Sequence, residues 1–176
     1  MSGPGQTPFD QARLEALVQA VADTLEGEWL LIGGALVALW LEPGRTTLDI
    51  DLVGLRGESA ERYALLDFAV KQSLPVEAIN SAADFFVQRI PGWRDHLVLF
   101  RAGTRGRIFR PDATLFLLLK AGRLSERDLA DCEALLRKER PDGATVLAAL
   151  DALRAPADEA ALARRSRLRE LLDGSR

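Results

Sequence analysis

Hydrophobic residues along this chain first recur with a helical period, then alternate through the middle, and return to the helical period for the last third. Leu14, Leu17, Val18, Val21 and Leu25 recur at three and four, which predicts an amphipathic helix from Phe9 to about Leu25. "EWLLIGG" is a short apolar run stopped by glycines and predicts a buried strand. "ALVALWLEPG" combines good helix formers with a Pro-Gly stop, so a short buried helix is expected next. "TLDIDLVGL" alternates, placing Leu48, Ile50 and Leu52 on one face and Asp49, Asp51 and Val53 on the other. "SAERYALLDFAVKQS" predicts a further helix with Ser59 as its N-cap. The segments "LPVEAI", "DFFVQRI", "HLVLFRA" and "GRIFR" read as strands between polar or glycine-bearing turns. From Pro111 onward four helices are expected, in "PDATLFLLLKAG", "SERDLADCEALLRKE", "DGATVLAALDAL" and "ADEAALARRSRLRELLDG".

That order predicts an α/β (α+β) fold, a mixed sheet flanked by helices with a helical C-terminal part. The expected organisation is a flexible leader over residues 1–8, an α/β core over 9–110 and a helical region over 111–176 packed on the core. No internal repeat is visible.

Composition narrows the classes. Apolar residues make up 48% and charged residues 28%, enough to bury a real core, and the net charge of −3 argues against a strongly basic nucleic-acid binder. A single cysteine, Cys132, excludes an internal disulfide framework, and with one histidine, His96, no structural zinc site is expected. The start "MSGPGQTPFDQ" lacks the cationic and apolar regions of a signal peptide. Apolar runs such as "TLFLLL" are far short of a membrane span. A cytoplasmic protein with no membrane partner is expected.

The chemistry concentrates in "LLIGGALVALWLEPGRTTLDIDL", residues 30–52. Asp49 and Asp51, two apart on a strand, would project from one face with Cβ atoms roughly 6.5–7 Å apart. Two carboxylates so placed repel and raise each other's pKa unless a cation joins them. Hard oxygen donors suit Mg²⁺ or Mn²⁺, and Mg²⁺ is commonly held by one or two carboxylates together with substrate phosphates. Gly33 and Gly34, without Cβ atoms and ahead of a helix, would let backbone N–H groups approach such a phosphate. Each half alone has a plainer reading, a tight turn for the glycines and surface acids for the aspartates. Their conjunction favours a nucleotide site.

This stretch resembles the signature of the nucleotidyltransferase superfamily with the DNA polymerase β-like fold: a Gly-Gly or Gly-Ser turn, a helix, and a strand bearing Asp-x-Asp. "RTTLDID" is similar in particular to the AbiEii-type nucleotidyltransferase toxins and related small bacterial domains, which also carry a later helical lysine followed by a basic-Asp segment. Here "LLLKAGRLSERDLADCEALL" has that look, and the resemblance spans roughly residues 28–137. It implies that Gly33 and Gly34 cradle the triphosphate of an NTP, and that Asp49 and Asp51 hold the metal. Lys120 would neutralise phosphate charge, supported by Asp131 or Asp128, while Arg45, Thr47, Lys120 and Asp128 would contribute nucleotide contacts. The implied reaction transfers a nucleoside monophosphate to a hydroxyl on RNA, tRNA included, or on protein. The implied setting is a toxin–antitoxin or phage-defence system with an antitoxin protein as partner.

Other residues carry competing readings. Ser125 and Asp128 fit a helix capping box, Lys120 suits a helix C-terminus, Asp131 could be an exposed helix residue, and Arg45 could be a turn residue. Cys132 reads as core, His96 as structural or solvent-facing, and Trp29, Trp40 and Trp93 as packing. Many superfamily members use a third carboxylate on a later strand; the best candidate is Glu77, with Asp84 behind it. "LARRSRLRE" and "RAGTRGRIFR" are the candidate basic surfaces for RNA. The alternative is a catalytically silent module of the same fold that binds a nucleotide or a partner.

Overall fold

In the computed structural model, residues 7–81, 83–153 and 158–174 are described. The leader expected over 1–8 lies through residue 6 outside them, as does Ala157 at the head of the last expected helix. The architecture is mixed α and β: one five-stranded mixed sheet flanked by helices, followed by a helical C-terminal part. The chain divides into two compact units, Met1–Phe85 with Leu97–Arg110, and Phe86–His96 with Pro111–Arg176.

The first unit carries the sheet. Helix α1 (Gln11–Thr24) starts at Asp10, whose side chain accepts the Arg13 N–H, and buries Leu14, Leu17, Val18 and Val21 as its period requires. Strand β1 (Gly27–Ile32) is the central strand, and its Leu30 and Leu31 are fully buried, as expected for a strand covered on both faces. A four-residue helix α2 (Gly33–Leu36) follows directly and widens into a π-helical turn over Val37–Leu41. Strand β2 (Ile50–Gly54) runs antiparallel to β1 with Ile32 opposite Asp51. Helix α3 (Ser59–Lys71) leads to a 3₁₀ turn at Val76–Ala78 and the two-residue strand β3 (Ile79–Asn80). Strand β3 pairs parallel to β2, with Ile50 opposite Ile79 and Asp51 opposite Asn80. Strands β4 (Leu97–Ala102) and β5 (Gly106–Pro111) complete the order β3-β2-β1-β5-β4, with β5 parallel to β1.

Four local expectations need correction. The N-cap of α3 is Glu58 rather than Ser59; the Glu61 carboxylate accepts the Glu58 N–H at 3.0 Å and the Arg56 N–H at 3.2 Å. Strand β2 begins only at Ile50. Thr47 forms an isolated antiparallel bridge with Phe9, the chain bends at Leu48, and Leu48 is 49% exposed instead of sharing the face of buried Ile50 and Leu52. "LPVEAI" is mostly a 3₁₀ turn, so Glu77 lies on no strand. "DFFVQRI" contains helix α4 (Asp84–Val87), because Val87 and Ile90, three apart, are buried while Phe85 and Phe86 are exposed.

The second unit is a set of helices, α5 (Ala113–Ala121), α6 (Glu126–Glu139), α7 (Gly143–Ala152) and α8 (Glu159–Gly174). Helix α5 packs on α6 and α7, and α8 packs on α6 and α7. Leu115, Leu117, Leu135, Val146, Leu150 and Leu168 form its core. Asp112, Ser125 and Asp142 cap α5, α6 and α7 with their side chains. Among the described residues no helix is long and apolar enough to cross a membrane.

Candidate functional site

The glycine turn and the acid motif meet in the sheet-bearing unit. Where β1 passes into α2, Gly33 adopts a φ of +72°, a left-handed conformation that favours glycine. A Cβ placed there would lie 2.1 Å from Asp51 Oδ2. At Gly34 a Cβ would lie 2.7 Å from Thr47 Oγ1. The two glycines therefore sit directly beneath two side chains of the "TLDID" segment, and the antiparallel register of Ile32 with Asp51 brings them there.

The two acids are held differently. Asp51 lies within β2, fixed by ladders on both sides, and its side chain is half-buried. Asp49 precedes the strand, and the Thr47 hydroxyl donates to its Oδ1 at 3.0 Å, with the Asp49 carbonyl oxygen at 3.3 Å. Thr47 is in turn clamped by backbone bonds to buried Phe9: the Phe9 N–H donates to Thr47 O at 2.7 Å and the Thr47 N–H to Phe9 O at 3.3 Å. Opposite Asp51 on β3 stands Asn80, and partners in register project to the same face of a sheet. That neighbour was missed from sequence because it is defined by strand register.

The remaining candidates lie on other segments of the chain. Arg45 follows the Pro43-Gly44 turn and bonds Glu42 Oε2 at 3.1 Å. Glu77 is exposed in its 3₁₀ turn, and Asp84 pairs with Arg62 at 3.1 Å. Lys120, Asp128 and Asp131 belong to the helical unit and are brought together there. Lys120 Nζ donates to Asp128 Oδ1 at 3.0 Å and to Asp131 Oδ2 at 2.7 Å, with both carboxylates buried. Asp128 also accepts from Arg123 Nε at 2.9 Å and from the Ser125 hydroxyl at 2.7 Å; the Ser125 N–H donates to its Oδ2 at 3.0 Å and the Asp128 N–H to Ser125 Oγ at 3.2 Å, which is the capping box of α6. Burial disfavours the Asp128 charge, but the Arg123 hydrogen bond, the Lys120 charge and Ser125 overcome it and hold the carboxyl well below the usual range. Burial pushes the neighbouring Cys132 thiol up to about 12, so it is an unreactive core residue.

His96 has a partner that sequence did not reveal. Its Nδ1 lies 2.7 Å from Asp112 Oδ2, while Asp112 caps α5 through the Leu115 N–H and donates its own N–H to His96 O. The basic stretches are largely engaged within the protein. Arg165 donates to the carbonyls of Leu150 and Leu153 at the end of α7, Arg164 to Leu124 O, and Arg169 pairs with Asp151. Arg105 and Arg107 pair with Glu26 and Glu28, and Arg110 lies over the Trp40 ring at 4.0 Å.

Among the described residues, no group of three or more His, Cys, Asp or Glu side chains is placed to hold a metal ion. Asp49 and Asp51 are the two carboxylates that could contribute to holding a Mg²⁺ ion, with substrate phosphates supplying further oxygens. No protein-family model, no curated protein and no solved structure matches this chain.

Proposed function

We propose that this chain is a Mg²⁺- or Mn²⁺-dependent nucleotidyltransferase that moves a nucleoside monophosphate from an NTP to a hydroxyl on RNA or on a protein. The observation that carries the reading is the packing of Asp51 over Gly33 and of Thr47, with its bonded Asp49, over Gly34. That packing sets the Asp51 carboxylate, and Asp49 by way of Thr47, against a turn whose own two residues carry no side chains. Asp49 and Asp51 would hold the cation, and the turn would offer its N–H groups to the phosphates. A bound divalent ion would supply charge neutralisation on the triphosphate and activation of the acceptor oxygen. The acceptor oxygen then bonds to the α-phosphorus, the bond to the bridging oxygen of the β-phosphate breaks, pyrophosphate leaves, and the hydroxyl proton passes to solvent. Lys120, Asp128 and Asp131 enter this reading as a buried ion cluster that shapes the helical unit.

A second reading, a module that binds nucleotide without transferring it, is favoured by one observation. The position opposite Asp51 on β3 carries an amide, Asn80, and Glu77 is exposed in a turn. Calorimetric titration with NTPs, with and without Mg²⁺, followed by transfer of radiolabel onto total tRNA and onto protein, separates the two. Mg²⁺-dependent binding that disappears in Asp49→Ala/Asp51→Ala, together with labelled acceptor, is expected of the enzyme. Binding without label leaves the silent module, and a lack of Mg²⁺-dependent binding, or binding that survives the double substitution, sinks the enzyme reading.

A further inference from the structure

We infer that Thr47 is a positioning residue: its hydroxyl sets the carboxylate of Asp49 and does not itself contact the nucleotide. The inference rests on the nucleotide-site reading above and assigns Thr47 a role distinct from the ligand contact expected from sequence. Thr47 is only 7% exposed, and a hydroxyl has one proton to donate; its nearer acceptor is Asp49 Oδ1 at 3.0 Å, with the Asp49 carbonyl oxygen at 3.3 Å. Asp49 needs such a partner. It lies before the first residue of β2, beyond an exposed bend at Leu48, whereas Asp51 is held by ladders on both sides.

Thr47 can serve as that partner because it is itself fixed through both its backbone and its side chain. Its backbone is bonded in both senses to Phe9, which is 1% exposed and lies under the Arg13 guanidinium at the start of α1. Its side chain rests on Gly34, where an added Cβ would come within 2.7 Å of Oγ1 and 3.3 Å of Cβ. The line from α1 through Phe9 and Thr47 to Asp49 is thus continuous, and a glycine at position 34 is part of it. Outer partners that orient a metal-binding carboxylate typically change affinity ten- to a hundredfold when removed.

The test is calorimetric titration of the full chain with ATP, in Mg²⁺ and in EDTA, for wild type, Thr47→Val, Thr47→Ser and Asp49→Asn. Thr47→Val keeps the shape and removes the hydroxyl, so Mg²⁺-dependent affinity should fall about ten- to a hundredfold. Thr47→Ser restores the donor and should stay close to wild type. In the Asp49→Asn background, Thr47→Val should add little, because its effect passes through Asp49. Should Thr47→Val not fold, Thr47→Ala against Thr47→Ser makes the same comparison. Wild-type affinity in the hydroxyl-less variant, or equal losses in Val and Ser, overturns the inference alone. A wild-type chain that binds no ATP in Mg²⁺ overturns the nucleotide reading and the inference with it.

Discussion

At the scale of single residues, the two glycines of the turn do more than loosen the backbone. Gly33 combines a left-handed φ with contact to Asp51 Oδ2, while Gly44 has a φ of +93° and nothing within 4 Å of its added Cβ. Comparing Gly33→Ala with Gly44→Ala therefore separates backbone strain from displacement of the acid. Both should lose about 1–2 kcal/mol from the left-handed conformation, read by denaturant unfolding. Only Gly33→Ala should also weaken Mg²⁺-dependent nucleotide binding, and equal binding in the two variants would remove Gly33 from the site. The motif itself was readable from sequence, because residue type and spacing carry it. What the glycines touch was not readable, since Asp51 and Thr47 reach them through a strand pairing. A second residue-scale test concerns Asp128. Its carboxyl is depressed in the folded chain, so its stabilisation is fully present above the unfolded value near 4 and is lost as pH falls through the folded value. Urea unfolding from pH 7 downward should show little change from this group until about pH 5, then a progressive loss. Asp128→Asn should cost about 3 kcal/mol at pH 7 by leaving Lys120 short of a buried partner, and should make the acid decline shallower.

At the scale of elements, what the sequence could and could not disclose follows from period and register. Helices with a clear three-and-four spacing, α1 and α5 to α8, were anticipated because one face of each is buried over several turns. "DFFVQRI" reads as a strand yet contains helix α4, since it is bulky and too short to display a period before the turns that follow. Alternation from Thr47 starts strand β2 three residues too early, because it cannot register the bend at Leu48 that follows the Phe9–Thr47 bridge. Glu77 was singled out as an acid near a strand, yet the residue brought opposite Asp51 is Asn80, a matter of register. This last point predicts the effect of Asn80→Asp. Like charges facing each other across neighbouring strands, about 4.8 Å apart, should lower stability without metal by a few tenths to 1 kcal/mol. A third carboxylate beside Asp49 and Asp51 should also let Mn²⁺ bind without nucleotide. Thermal melts with and without Mn²⁺ should then diverge in the variant and coincide in wild type; coincidence in both would mean that Asn80 does not share the face of the acids.

At the scale of the whole molecule, charge rather than shape bears on the acceptor. The chain has 23 basic and 26 acidic residues, and its two arginine-rich stretches were the places where a cationic surface could have formed. In the structure Arg105, Arg107 and Arg169 each stand beside a carboxylate, and Arg164 and Arg165 donate to backbone carbonyls of the helical unit. Sequence counts could locate these arginines but not their partners, which come from other elements. Cations so compensated release few counterions when a polyanion approaches. A protein that neutralises 6–10 phosphates loses about a thousand- to a hundred-thousandfold in affinity between 50 and 200 mM salt. This chain should instead change its affinity for tRNA by less than about tenfold over that range, with the slope indicating on the order of one phosphate contact. Filter binding or fluorescence anisotropy at graded salt measures it directly. A shallow slope accompanied by label transfer would mean that an RNA acceptor is selected by contacts near the acid pair. A steep slope would show that the arginine pairs open to phosphate, and charge reversal at Arg105 and Arg107 should then flatten it.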